Sequence, residues 1–293
     1  MTSSTLSVTN SSKSTKISDY QLIEQLGLGG CGAVWLGKSK STSQIYAVKV
    51  IEKEHLWKSA ARMTLLKEAK IMKNLKGKPR LLQLHESFHN PKYAFMVLDL
   101  AVYGDLYYWL DQVGSMKYEE VSYYLVQISA ALNSLHESKI IYRDLKPDNV
   151  LLDDKGHVKL ADFGLSKDVS ETYERTSSFC GTFTYLAPEV HSQFAAYNYA
   201  IDWYSLGIMT HELLTGDVPF PKNVQQSRPD LVKAIVQGNL SLDPRLKPKA
   251  RSFIVWLTSL HPNDRPENMD ELKTHPWIAK APWDEILSEK QKY

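Results

Sequence analysis

The sequence predicts an α+β chain in which the first hundred residues build an antiparallel sheet with one main helix, and the remainder is mainly helical. Three observations carry this expectation. Between Tyr20 and Val50, short apolar runs such as Val34-Trp35-Leu36 and Tyr46-Ala47-Val48-Lys49-Val50 alternate with glycine-rich turns, the pattern of strands joined by tight connections. Residues 59 to 75 then carry Leu65, Leu66, Ala69, Ile71 and Met72 at helical spacing, and strand character returns from Leu81 to Leu100. Beyond Asp105 the apolar positions recur with helical spacing at 118 to 136, 200 to 215, 230 to 237 and 249 to 260, interrupted by a turn-rich stretch from 141 to 190.

The flanks read differently. Residues 1 to 16, MTSSTLSVTNSSKSTK, are almost entirely Ser, Thr, Asn and Lys. They offer too little apolar surface to offset the entropy of ordering them, so a disordered tail is expected. The folded part is expected over 17–279, with a first lobe over about 17–100 and a second over about 104–279. Residues 280–293 read as a short charged extension.

With 293 residues, 43% hydrophobic and 23% charged, the composition is that of an ordinary soluble domain large enough for a sizeable core. Lys and Arg number 35 against 33 Asp and Glu, which gives no reason to expect nucleic acid as a partner. No run is apolar enough for a membrane segment. Cys31 and Cys180 are too few for a disulfide framework and the first residues lack a secretory apolar core. A reducing setting, cytoplasmic and/or nuclear, is therefore expected.

The chemistry begins at Gly27-Leu28-Gly29-Gly30-Cys31-Gly32-Ala33-Val34. Its glycines would let a hairpin backbone lie against phosphates without side-chain clash. The same spacing marks dinucleotide sites when the third glycine opens a helix, but Ala33-Val34-Trp35-Leu36 is strand-like. Lys49 follows in an apolar strand, and Glu68 lies on the expected helix. Two solvated surface charges are the plain alternative. A strand lysine is costly to bury unpaired, however, and a helix carboxylate could hold it against phosphates. The most specific run is Tyr142-Arg143-Asp144-Leu145-Lys146-Pro147-Asp148-Asn149, followed in order by Asp162-Phe163-Gly164 and Ala187-Pro188-Glu189.

With this ordered set, the sequence resembles the eukaryotic protein kinase family from Tyr20 to about Trp277. The resemblance implies a two-lobed protein kinase fold that binds ATP and Mg²⁺ and phosphorylates protein substrates. Asp144 would accept the substrate hydroxyl proton, Lys146 would neutralise the transferring group, and Lys49 with Glu68 would hold the phosphates. Asn149 and Asp162 would be the metal ligands, hard oxygen donors for Mg²⁺. ATP would be enclosed by Leu26, Gly27, Gly29, Gly32, Val34, Ala47, Leu98, Asp99, Asp105 and Leu151, with Val34, Ala47 and Leu151 about the adenine and Leu98 behind it. Met72, Leu84, Tyr142 and Phe163 would form an apolar column, Asp202 would anchor the catalytic loop, and Glu189 would pair with Arg265. For all of these apolar positions, simple core packing is the alternative.

Lys146, together with Gly181-Thr182, resembles serine/threonine kinases rather than tyrosine kinases. Tyr142 before Arg143-Asp144, Ser178-Phe179-Cys180-Gly181-Thr182 and Trp283-Asp284-Glu285-Ile286-Leu287 resemble the AGC group, including the ribosomal-subunit kinases. Ser178 would then be the activating phosphosite of an upstream kinase, with Arg143 and Lys167 as its clamp. Asp105, Asp148 and Glu212 match acidic positions used for basic substrates, and Leu165 points to serine over threonine. Departures stand beside these likenesses: His261-Pro262-Asn263-Asp264-Arg265-Pro266 and Phe183-Thr184 differ from the group's wording, and no hydrophobic motif follows Trp283. The rival readings are a pseudokinase scaffold, which usually lacks one of the catalytic residues all present here, and a small-molecule kinase, which seldom carries the loop from Gly181 to Glu189.

Overall fold

The β-branched and aromatic runs of the first hundred residues pair into one antiparallel sheet of β1 (Tyr20–Gly29), β2 (Gly32–Ser39), β3 (Ile45–Glu52), β4 (Leu84–His89) and β5 (Tyr93–Leu98), in the order β1-β2-β3-β5-β4. The computed structural model describes residues 15–29, 32–56, 59–170, 182–191 and 197–288, so the expected N-terminal tail lies outside the described residues except for 15 and 16. Contacts divide the chain into two units, 1–59 with 84–100, and 60–83 with 101–293.

In the first unit, Val48, Ile51, Phe95 and Val97 are buried. Tyr20 stacks on Phe88 at 6.2 Å and Phe88 on Phe95 at 5.1 Å, contacts that add to burial alone. The ladder between β4 and β5 shifts register between Leu84 and Glu86, which makes His85 the extra residue of a bulge.

The second unit begins with α1 (Ser59–Asn74), the helix carrying Glu68. Sequence periodicity set this helix beside the sheet, yet residues 60–83 group with the helical unit. The reason lies in the chain that follows it. Leu81 bridges Leu160, Leu82 N–H donates to Leu160 O at 2.9 Å, and Leu160 N–H donates to Arg80 O at 2.8 Å.

After it come α2 (Leu106–Val113), α3 (Tyr118–Glu137), α4 (Ala200–Thr215), α5 (Lys222–Gln225), α6 (Arg228–Val236), α7 (Pro248–Leu257), α8 (Met269–Leu272) and α9 (Trp283–Ser288). Asp105 caps α2 by accepting from Tyr108 N–H at 2.7 Å. On α3 the buried positions Val121, Leu125, Ile128, Leu132 and Leu135 repeat every three or four residues, which gives one apolar face. Residues Ala200 to Leu214 of α4 are all buried, so this helix is the axis of the unit. Glycine is required at Gly207, where a Cβ would lie 2.7 Å from Thr258 Cγ2 and 2.8 Å from Leu257 Cβ, so α4 and the end of α7 meet with no room for a methyl group.

Two short ribbons, β6 (Ile140–Ile141) with β9 (Lys167–Asp168) and β7 (Val150–Leu152) with β8 (Val158–Leu160), frame the turn-rich stretch. The segment read as a charged extension forms α9, with Trp283 and Ile286 buried and the Arg80 guanidinium donating to Ile286 O at 2.6 Å.

Candidate active site

In the sheet unit, the hairpin register pairs Gly27 with Val34 and Gly29 with Gly32, so the glycine run joins two paired strands and a strand, not a helix, begins at Gly32. The glycines differ in their reasons. A Cβ at Gly32, whose φ is +143°, would sit 2.2 Å from Val50 O, whereas one at Gly27 would meet nothing within 4 Å. Gly32 is thus demanded by the sheet, and Gly27 leaves backbone open to a ligand. Leu26 beside it is exposed.

Val34 pairs with Lys49, Lys49 with Met96, and Ala47 with Leu98. Directly opposed residues share a face and alternate residues return to it. Val34, Ala47, Lys49 and Leu98 therefore line one side of the sheet. Asp99 follows at the strand exit, its Oδ1 2.7 Å from His85 Nε2.

In the helical unit the second set assembles around one carboxylate. Asp202, wholly buried in the first turn of α4, accepts from Tyr142 N–H at 3.0 Å, Arg143 N–H at 2.9 Å and His136 Nε2–H at 2.8 Å. Arg143 needs that anchor because its φ is +72°, in the left-handed region that non-glycine residues avoid. Next in the chain, Asp144 is nearly buried. Asn149 Nδ2 donates to Asp144 O at 2.7 Å and to its Oδ2 at 2.9 Å. Lys146 Nζ stands 3.6 Å from the same Oδ2 and donates to Thr182 Oγ1 at 3.1 Å. One carboxylate oxygen is thus engaged by an amide and an ammonium, and Thr182 sits within reach of the same lysine.

The second carboxylate is tied in through the backbone. Ala161 N–H donates to Asn149 O at 2.9 Å, and the Tyr142 hydroxyl donates to Ala161 O. Asp162 follows at φ +52°, exposed, its Oδ1 accepting from Gly164 N–H at 3.1 Å. Both amide hydrogens of Asn149 are committed to Asp144, which leaves its Oδ1 as a lone-pair donor. No group of three or more His, Cys, Asp or Glu suited to a metal occurs among the described residues. One carboxylate and one amide oxygen instead fit a hard cation that takes its other ligands from water and phosphate. Leu151 bridges Asp105 in the backbone. Met72, Tyr142 and Phe163 are buried, with the two rings 5.9 Å apart. Glu68 is buried on α1.

A cavity of about 340 Å³ adjoins Lys146 and is lined by Asp148, Thr182, Tyr185, Glu212 and Asp217 among others. Tyr185 donates its hydroxyl to Glu212 Oε2 at 2.6 Å. Burial pushes the Glu212 carboxyl up to about 7, aided by Asp148 and Asp217 and opposed by the Tyr185 hydrogen bond. Arg143 donates to Leu165 O at 2.6 Å and to the Tyr197 hydroxyl at 2.9 Å, while Lys167 pairs with Ile141 across the ribbon. Ser178 lies outside the described residues. Arg265 grips Glu189 with two bonds of 2.6 and 2.9 Å. Sequence reasoning did not find His136, Tyr185 or His85, whose partners stand 66, 27 and 14 positions away. No local pattern marks such pairs.

Residues 20–278 match the family model described as the protein kinase domain. The chain is 35% identical over 286 residues to serine/threonine-protein kinase Sgk1 of Gallus gallus, covering 96% of this chain and 65% of that protein. Against ribosomal protein S6 kinase alpha-3 of Homo sapiens the identity is 35% over 276 residues, 92% of this chain and 36% of the relative. Protein kinase 3 of Dictyostelium discoideum is 34% identical over 283 residues, 92% of this chain and 30% of the relative. The chain therefore spans between about a third and two thirds of the length of these relatives. It belongs to the protein kinase family and is AGC-like.

Proposed function

We propose that this chain transfers the γ-phosphoryl group of ATP to serine or threonine hydroxyls of proteins, with Mg²⁺ held by Asn149 and Asp162. The observation that carries the reading is the Asp144 arrangement: a nearly buried carboxylate with Oδ2 held by Asn149 and Lys146, which leaves Oδ1 to accept a hydroxyl hydrogen. A divalent cation there would neutralise phosphate charge. Asp144 orients the attacking hydroxyl and takes its proton, Lys146 offsets charge on the group in transit, and Lys49 positions the phosphates. Little covalent work falls to the protein, so positioning and charge dominate. A cytoplasmic or nuclear setting belongs to the same reading, supported by a cysteine content too low for a disulfide scaffold.

The test is incubation of the purified chain with radiolabelled ATP, Mg²⁺ and a basic Ser-containing peptide, followed by phosphoamino-acid analysis. Label on serine or threonine is expected, and Lys49→Met or Asp162→Asn should lower the rate at least about a hundredfold with the thermal midpoint little changed. Transfer within tenfold of wild type in either variant would overturn the assignment, and nucleotide binding without transfer would return the scaffold reading.

Substrate choice and activation are part of this proposal. Asp148 and Glu212 on one cavity wall supply negative charge for Arg or Lys shortly before the target serine. Ser178 is proposed as the site of an upstream kinase, with Arg143 and Lys167, the latter a strand residue of the short ribbon paired with Ile141, as its clamp. A phosphoserine adds about −1.5 to −2 charge, enough to order a loop against cations. Ser178→Ala should hold activity at the phosphatase-treated level whatever the upstream treatment. Equal activity of the variant, treated and untreated wild type would remove Ser178 from this role.

A further inference from the structure

We infer that His85 is a positioning residue for the purine-binding edge of the site, acting through Asp99. The inference rests on the reading of Asp99 as part of the ATP site. β5 ends at Leu98, the last residue of that strand paired with β3, so Asp99 is the first residue whose backbone the ladder no longer holds. A side chain from the neighbouring strand takes over that task. Leu84 pairs with Leu98 and Glu86 with Val97, which leaves His85 as the extra residue between them. A bulge gives up ladder pairing and re-aims one side chain. Here the re-aimed group reaches Asp99, with Nε2 and Oδ1 2.7 Å apart.

An ionised carboxylate only accepts, so Nε2 carries the hydrogen and the tautomer is fixed. The ring is braced by Tyr46, whose centroid lies 4.9 Å away at 62°, and Tyr46 meets Tyr20 edge-on at 6.2 Å. Tyr20 in turn donates to Glu86 Oε2 at 2.8 Å. The imidazole is thus set between a strand residue and the exit of the next strand, and Asp99 cannot swing without breaking a bond to a group that is itself braced. The pair is only partly buried, with 35% of the histidine and 19% of the aspartate side chain exposed. Its effect is correspondingly modest.

The experiment uses the full chain and measures binding as well as turnover. His85→Ala is expected to weaken both adenosine and Mg²⁺-ATP about three- to fivefold by calorimetry. The KM for ATP should rise by the same factor while kcat and the peptide KM stay within about twofold. His85→Gln, whose amide reaches the Nε2 position, should restore binding, whereas His85→Asn, too short, should not. The double variant His85→Ala with Asp99→Ala should be no weaker than Asp99→Ala alone. A wild-type adenosine affinity retained by His85→Ala overturns the inference, as does a double variant whose losses add. Wild type that binds neither adenosine nor ATP overturns the nucleotide reading beneath it as well. Should His85→Ala fail to fold, the contrast between the Asn and Gln variants decides in the same way.

Discussion

At Glu212 a single buried carboxyl would tie the proposed substrate choice to acidity. Its pKa of about 7 means that it is largely neutral at pH 6 and charged at pH 8. A basic peptide seated in the adjoining cavity should therefore bind worse as pH falls, with its KM rising severalfold between pH 8 and pH 6. Glu212→Gln should flatten that profile, and a wild-type profile already flat would exclude the role. Stability runs the other way. The folded pKa is raised above the unfolded value of roughly 4.3, so the contribution is present below that pH and is lost as pH rises through about 7. The carboxylates Asp144 and Asp162 could be singled out in the sequence because each stands in a short local run, where spacing survives as a motif. Asp202 was legible only by resemblance. His136, which shares that carboxylate, was not legible, since its contact with α4 exists only after helices 66 residues apart have packed.

Elements are held to one another by a few buried polar pairs, and the pair of Glu189 and Arg265 is one of them, with 9% of the glutamate side chain exposed and none of the arginine's. Arg265 is wholly buried on its side chain, binds both carboxylate oxygens, and donates to Ala200 O at 3.1 Å, the first residue of α4. Arg265→Ala would leave Glu189 buried without its cation, a change that costs about 3 to 5 kcal/mol. Urea unfolding should report that loss, and Arg265→Lys should recover only part of it because an ammonium cannot bind both oxygens in one plane. A loss under about 1 kcal/mol would show the pair to be dispensable. The long elements α3 and α4 were legible from periodicity. The ribbons of two and three residues were not, because they are too short to show a period and exist through pairing with distant chain. The hairpin at the glycine run was legible, but the bulge at His85 between β4 and β5 was not, since a bulge is a mismatch between two strands and belongs to neither alone.

Across the whole molecule, the ends of the second unit are joined by Arg80 and α9. Trp283 is buried and donates its indole N–H to Ile278 O at 2.9 Å, beside Ile286, whose carbonyl receives the Arg80 guanidinium. Trp283→Ala should cost about 3 to 5 kcal/mol, a fall of roughly 6 to 10 °C in thermal midpoint. A shift below about 2 °C would mean that α9 is a loose appendage. Its charged wording concealed this packing, because two apolar residues suffice to seat so short a helix when the groove is supplied by α3. A different consequence follows from Gly207. The backbone there meets the end of α7 at a separation that even one methyl group would exceed. Asp202, which accepts from the Tyr142 and Arg143 amides, stands five residues earlier on the same helix. Helix α7 turns Val255 to solvent. The placement of the Tyr142 and Arg143 amides, and of Asp144 next to them in the chain, is therefore machined to the clearance of a surface helix, much as a lathe tool is only as true as the bed on which its carriage slides.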